Sequence, residues 1–294
     1  MEKLIERLKE NKPNISASSI KTYCSLLKSF FYKNHTKDTE LNINWFDKEE
    51  ELIALLSEKP ASTRKTTYAA LIAISKDNEK YKKALLNDGK TYQEFIDTQT
   101  KTDKQEENWK TFDEVKQIYE SAYDAVKPLL KKKTELDAKE YNRLQDFIIL
   151  SLTSGYWFSP RRSSDWIYMK IKDANKTDDN FIDKNKFVFN KFKTARFYSM
   201  QEVEIPKGLK PILNKWVKLN PYDYLITDNT GKQLSAPRLT QKLNAIFGNK
   251  ISTSMLRHIF LSQKLKNAPA IKELQTLAAE MGNSPMQVLE YVKN

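Results

Sequence analysis

Apolar residues recur at helical spacing along most of the chain. Ile20, Tyr23, Cys24, Leu27, Phe30 and Phe31 share one helical face behind Ser16, Ser18 and Ser19, which offer N-caps; Pro13 stops whatever precedes them. A second helix carries Leu52, Ile53, Leu55 and Leu56 after Trp45 and Phe46, and Lys59-Pro60 closes it. A third begins at Ser62-Thr63 and carries Tyr68, Leu71, Ile72 and Ile74. A fourth runs from about Glu79 through Tyr92, Phe95 and Ile96, with a break expected near Asp88-Gly89. Residues 98–107 contain no apolar side chain and read as a linker.

Trp109 and Phe112 open a second unit. Helical periodicity covers about 112–132 and 138–154, and beyond Gly155 and Pro160 a further helix carries Trp166, Ile167 and Met169. The period then changes. Phe181-Ile182, Phe187-Val188-Phe189 and Val203-Glu204-Ile205 are short β-prone runs separated by turn residues. Helical spacing resumes over about 208–218, 236–247, 252–266, 270–281 and 285–292. The expected fold is mainly α with a small antiparallel β-sheet, in two domains: residues 1–97, a linker at 98–107, and residues 108–294.

Composition narrows the chemistry. One cysteine, Cys24, excludes an intrachain disulfide and a cysteine-based zinc site, and two histidines leave little for any other metal. Six glycines form no dinucleotide fingerprint, and Gly89-Lys90-Thr91 lacks the upstream glycine of a phosphate loop, so it reads as a surface turn. No apolar run reaches membrane-spanning length and the N-terminus has no signal-peptide core, so an intracellular protein that is not secreted is expected. The 50 Lys and Arg against 38 Asp and Glu leave a net charge of +12, which favours a polyanionic partner, above all nucleic acid.

Four segments of the second half carry candidate chemistry. Pro160-Arg161-Arg162-Ser163-Ser164-Asp165 sets two arginines at a helix start, with Asp165 one turn from Arg162 and able to orient its guanidinium. Asn190-Lys191-Phe192-Lys193-Thr194 places a lysine on the turn between two strands. Leu256-Arg257-His258-Ile259-Phe260 puts an Arg-His pair inside an apolar helix, where arginine needs a partner. Met281-Gly282-Asn283-Ser284-Pro285 ends one helix and caps the next, and Tyr291 follows about two turns on. Each segment alone also fits an ordinary structural role.

In this order the four segments resemble the tyrosine recombinase, or phage-integrase, family, over roughly residues 109–294. The style of Pro-Arg-Arg-x-x-Asp and Phe-Lys-Thr is similar to recombinases of large eukaryotic DNA viruses and related mobile elements. The resemblance implies a helical core-binding domain over 1–97 and a catalytic domain over 108–294. It implies site-specific cleavage and rejoining of DNA through a covalent 3′-phosphotyrosine, with no cofactor and no metal. Arg162 and Arg257 would clamp the phosphate, with Arg161 as the fallback; Lys193 would protonate the leaving 5′ oxygen; Tyr291 would be the nucleophile. Ser254 stands where the family usually has histidine, and Asn283 where it has histidine or tryptophan. Both can hydrogen-bond a phosphate but neither carries charge, which leaves room for reduced activity. His258 would support the site. Three residues follow Tyr291, and many relatives dock on a neighbouring subunit through a segment placed there.

The partner implied is double-stranded DNA, held by a two-sided clamp, with self-association on DNA as a dimer or tetramer and no membrane. Lys21, Lys28, Arg64, Lys65, Lys131, Lys132 and Lys133 are candidate phosphate contacts. A viral source would place the protein in the nucleus or a viral factory. Two other readings stay open: a DNA-binding protein that has lost catalysis, and a type IB topoisomerase.

Overall fold

The computed structural model describes residues 2–36, 38–193, 195, 200–266, 268 and 270–280, the last four as backbone. The chain divides into two compact units, one holding residues 1–100 and the other 101–268.

The first unit is helical: α1 (Glu2–Asn11), α2 (Ala17–Asn34), a 3₁₀ turn (Ile43–Asp47), α3 (Glu49–Ser57), α4 (Ala61–Ile74) and α5 (Glu79–Asp97). Its core gathers Leu4, Leu8, Leu27, Phe31, Phe46, Leu52, Leu71, Ile74 and Tyr81. α5 runs unbroken through Asp88 and Gly89, against the expected break, and Gly89-Lys90-Thr91 is helical rather than a surface turn. A mid-helix glycine costs only about 1 kcal/mol, and Arg64 Nε and Nη2, donating to the Asp88 carboxylate at 2.9 and 2.5 Å, tie α4 to α5 at that point.

The second unit begins with α6 (Asp103–Asn108), a helix inside the stretch expected to be a linker. It has no apolar residue to mark it. A capping box starts it instead, with Thr102 Oγ1 accepting from the Gln105 N–H and Gln105 Oε1 accepting from the Thr102 N–H. α7 (Phe112–Lys131) and α8 (Ala138–Thr153) have capping boxes of their own, on Thr111 and Glu114 and on Asp137 and Glu140. Next come α9 (Ser163–Ile167), strands β1 (Met169–Lys170), β2 (Asn180–Asp183), β3 (Lys186–Phe189) and β4 (Gln201–Glu204), then α10 (Lys210–Leu219), α11 (Ala236–Phe247) and α12 (Thr253–Lys264). α13 (Ile271–Glu280) belongs with the first unit, where its Ile271 N–H donates to Gln99 Oε1 at 3.2 Å.

The sheet order is β1-β2-β3-β4. β2, β3 and β4 are antiparallel, as the runs of Phe and Val predict, with Phe181 opposite Val188 and Phe187 opposite Val203. β1 pairs parallel to β2, so the sheet is mixed rather than antiparallel, and Met169 lies in a strand rather than in the preceding helix. Trp166 anchors this layer: its buried ring meets Phe187 at 5.1 Å and Phe189 at 5.4 Å between centroids.

Gly155 turns the chain from α8 toward the arginine segment with φ +84°. A Cβ there would stand 2.6 Å from Phe260 Cδ2 and 3.1 Å from Pro160 Cγ. Gly155→Ala should therefore destabilise the protein by about 2–3 kcal/mol, through the left-handed backbone and overpacking together. The control is Gly89→Ala, which meets nothing within 4 Å in mid-helix and should stabilise by up to about 1 kcal/mol. Opposite shifts of the two melting midpoints are the expected result.

Candidate active site

The site is built where α8 hands over to α9 and where α12 begins. Ser163 and Thr253 stand in the first turns of α9 and α12, and their hydroxyls meet at 3.1 Å. Ser252 caps α12 by accepting from the Met255 N–H. Arg162 caps α9 with extended backbone, and Arg257 lies one turn into α12. The two segments flank a cleft of about 430 Å³ lined by Phe158, Ser159, Pro160, Arg161, Arg162, Asp165, Phe192, Gln201, Val203 and Arg257.

The three arginines differ in how they are held. Arg161 Nε donates to Asp165 Oδ2 at 2.9 Å, its Nη2 donates to Gln201 Oε1 at 2.8 Å, and its Cζ lies 4.0 Å from the centre of the Phe189 ring. Asp165 is 2 % exposed and also accepts from the Ser164 hydroxyl. Asp165 thus orients Arg161, not Arg162 as its spacing predicted. Gln201 and the Phe189 ring supply Arg161 with two further contacts that fix it over the carboxylate. Arg162 is left exposed and Arg257 half-buried in the lining. The cleft offers guanidinium donors and a single carboxylate already engaged, which is the chemistry of an anion site.

A larger groove of about 1060 Å³ lies between α7, α8 and α11. Its cations, Lys110, Lys139 and Arg143, are interspersed with Glu114 and Asp146, and no motif residue lines it. Size alone does not single it out; the smaller cleft carries the concentrated charge. Among the described residues no group of three His, Cys, Asp or Glu side chains is placed to hold a metal ion, and no helix is long and apolar enough to cross a membrane.

No family model matches the chain, and no curated protein sequence does. In structure it is similar to lambda integrase residues 75–356 bound to DNA, at 14 % identity over 91 % of this chain and 87 % of that one, with a TM-score of 0.50. The chain has the integrase fold. A lambda integrase (75–356) dimer on a COC′ core site aligns at 16 % identity over 94 % and 93 % of the two chains, with a TM-score of 0.49. XerA recombinase aligns at 16 % over 93 % and 87 %, with a TM-score of 0.37.

On this integrase fold the other motif residues are distributed as follows. Lys193 is exposed on the turn between β3 and β4, beside the cleft-lining Phe192. Ser254 and His258 are exposed on α12, and neither is among the described residues that line the cleft. Asn283 and Tyr291 lie outside the described residues. Of the candidate phosphate contacts, Lys21, Lys131 and Lys133 are exposed and Lys28 is half-buried. Lys65 covers the Tyr92 ring at 5.0 Å, Lys132 pairs with Glu140 at 2.5 Å, and Arg64 is engaged by Asp88. Of the two residues that hold Arg161, Phe189 carried no signal in the sequence beyond its place in a short β-prone run, and Gln201 carried none.

Asp179, just before β2, braces the base of the integrase fold's β-hairpin. It accepts from Lys170 Nζ at 2.9 Å, Lys191 Nζ at 3.0 Å and the Asn175 N–H at 3.1 Å. Lys170 first, then Lys191 and the Asn175 N–H, hold its carboxyl down at about 2 against the pull of burial. A depressed carboxyl stabilises the fold above its unfolded value, and that stability is lost as pH falls through the folded value. Between about pH 4 and pH 2 the protein should lose about 2 kcal/mol from this group. Asp179→Asn should remove that component, which urea unfolding at stepped pH will read.

Proposed function

We propose that the chain is a tyrosine-recombinase-type enzyme that cleaves and rejoins double-stranded DNA site-specifically through a covalent 3′-phosphotyrosine. The observation that carries this reading is the arginine cleft: Arg162, which caps α9, and Arg257 on α12 line one pocket, with the two helices tied by Ser163 and Thr253, on an integrase fold.

The residue types support the following steps. The Tyr291 hydroxyl oxygen attacks the phosphorus and its proton passes to water. The bond between phosphorus and the 5′ oxygen breaks, and Lys193 gives a proton to that departing oxygen. Arg162 and Arg257 bind the phosphoryl oxygens, where charge builds in the transition state. Ser254 and Asn283 add hydrogen bonds without charge. A 5′-hydroxyl, from the same or another duplex, reverses the attack and frees Tyr291. The phosphate ester bond is conserved throughout, so no nucleotide is consumed. Joining two duplexes needs more than one active site, and self-association on DNA is part of the proposal.

The test is covalent trapping. The protein is mixed with nicked or fragmented DNA from its own genome in EDTA, denatured and resolved. A denaturant-resistant protein–DNA adduct is expected. Salt-sensitive binding without an adduct on any fragment would replace this reading with a second one, a DNA-binding protein that does not cut, which is favoured by Ser254 standing exposed in place of a general base.

A further inference from the structure

We propose that Asn180 is a positioning residue for proton transfer: its side-chain amide sets the turn that carries Lys193 against α9, the helix that Arg162 caps. This assignment rests on Lys193 being the proton donor of the reaction proposed above.

Asn180 is 0 % exposed. An amide side chain can donate two hydrogen bonds and accept two, and here all four are made. Nδ2 donates to the Asp165 carbonyl at 2.9 Å and to the Lys191 carbonyl at 2.9 Å. Oδ1 accepts from the Asn190 N–H at 2.9 Å and the Lys191 N–H at 2.7 Å. One end of the clamp is therefore α9, at the residue whose carboxylate holds Arg161. The other end is the first two residues of the turn, two positions before Lys193.

The strand ladder does not need this amide, because β2 pairs with β3 from Phe181 onward, through Val188, Phe187 and Lys186. The bonds run instead between the helix that Arg162 caps and the turn that carries Lys193. The turn is further braced by Asn190 Nδ2, which donates to the carbonyls of Lys176 and Asp179. A lysine ammonium rides on four flexible carbons and is not positioned by its own geometry. Where it can reach is set by its backbone, and Asn180 sets that backbone.

The test compares two substrates in single-turnover adduct formation. One has the ordinary bridging 5′ oxygen; the other has sulfur there, so the P–S bond breaks as the bond to tyrosine forms. A thiol has a pKa of about 8.5, so the thiolate departs without needing a proton. Lys193→Ala should slow the oxygen substrate by about 10²–10⁴-fold. Asn180→Ala and Asn180→Asp should slow it by on the order of 10²-fold, the scale of a misplaced group. Asn180→Asp keeps the volume and both accepted bonds while opposing two carbonyls. On the sulfur substrate all three variants should approach the wild-type rate, while Arg257→Ala should stay slow on both. Recovery of Lys193→Ala without recovery of the folded Asn180 variants overturns the assignment and leaves the recombinase reading standing. Variants that do not fold make Asn180 a stability residue and overturn it equally. Wild type that cuts neither substrate, or Lys193→Ala that does not recover, overturns the reading of Lys193 and the assignment with it.

Discussion

Tyr291→Phe is expected to eliminate the covalent adduct, by on the order of 10⁴-fold or more, as loss of a catalytic nucleophile does. The substitution removes one hydroxyl and keeps the ring. Melting temperature and DNA affinity should stay near wild type, so the loss falls on bond formation alone. A mass shift of the adduct located on the peptide containing Tyr291 in wild type would complete the assignment. An undiminished adduct in the variant would give the nucleophile's role to another residue.

Arg257→Ala and Arg162→Ala are expected to lower the rate of adduct formation by about 10²–10³-fold each, the scale of losing one preorganised donor to transition-state charge. Both residues line the cleft, and neither is the arginine paired with Asp165. Binding should weaken far less than the rate, because in the proposed reading each guanidinium would meet one phosphate among the many that a DNA-binding protein contacts. Arg257→Lys keeps the charge but loses the planar fork, and should recover little of the rate. Arg161→Ala should behave differently. It strips the buried Asp165 carboxylate of its ion pair, so its melting temperature should fall along with the rate. Equal thermal stability of the Arg161 and Arg162 variants would contradict the division of labour seen in the cleft.

Much of the fold was legible because the core is patterned. The apolar periodicity behind Ser16 and the runs Phe187-Val188-Phe189 and Val203-Glu204-Ile205 mark α2 and the hairpin directly. β1 escaped because Met169-Lys170 is two residues long and prolongs the helical spacing of Trp166 and Ile167. α6 escaped for the opposite reason: it is polar throughout, and only the Thr102-x-x-Gln105 box announces it. α5 runs unbroken past Gly89 while Arg64 holds Asp88 across 24 positions, a contact that no local pattern reveals. In the site, the arginines and their order along the chain were readable. The residues that hold the site together were not, since Gln201 on Arg161 and Asp179 and Asn180 on the turn that carries Lys193 are polar residues whose roles come from tertiary contacts alone. Spacing also misassigned Asp165, because it counts turns of helix and α9 starts only after both arginines.

The placement of α13 bears on how the protein is made. The unit formed by residues 1–100 is discontinuous in the chain, since the helix that bonds to Gln99 and Asp97 is encoded after residue 268. A ribosome therefore delivers α1 to α5 of that unit early and α13 only after the whole 101–268 unit has emerged. The exposed Phe95 and Ile96 on the last turns of α5 are in the nascent chain throughout that interval, and the end of α5 is the part of the first unit whose native neighbourhood is completed last.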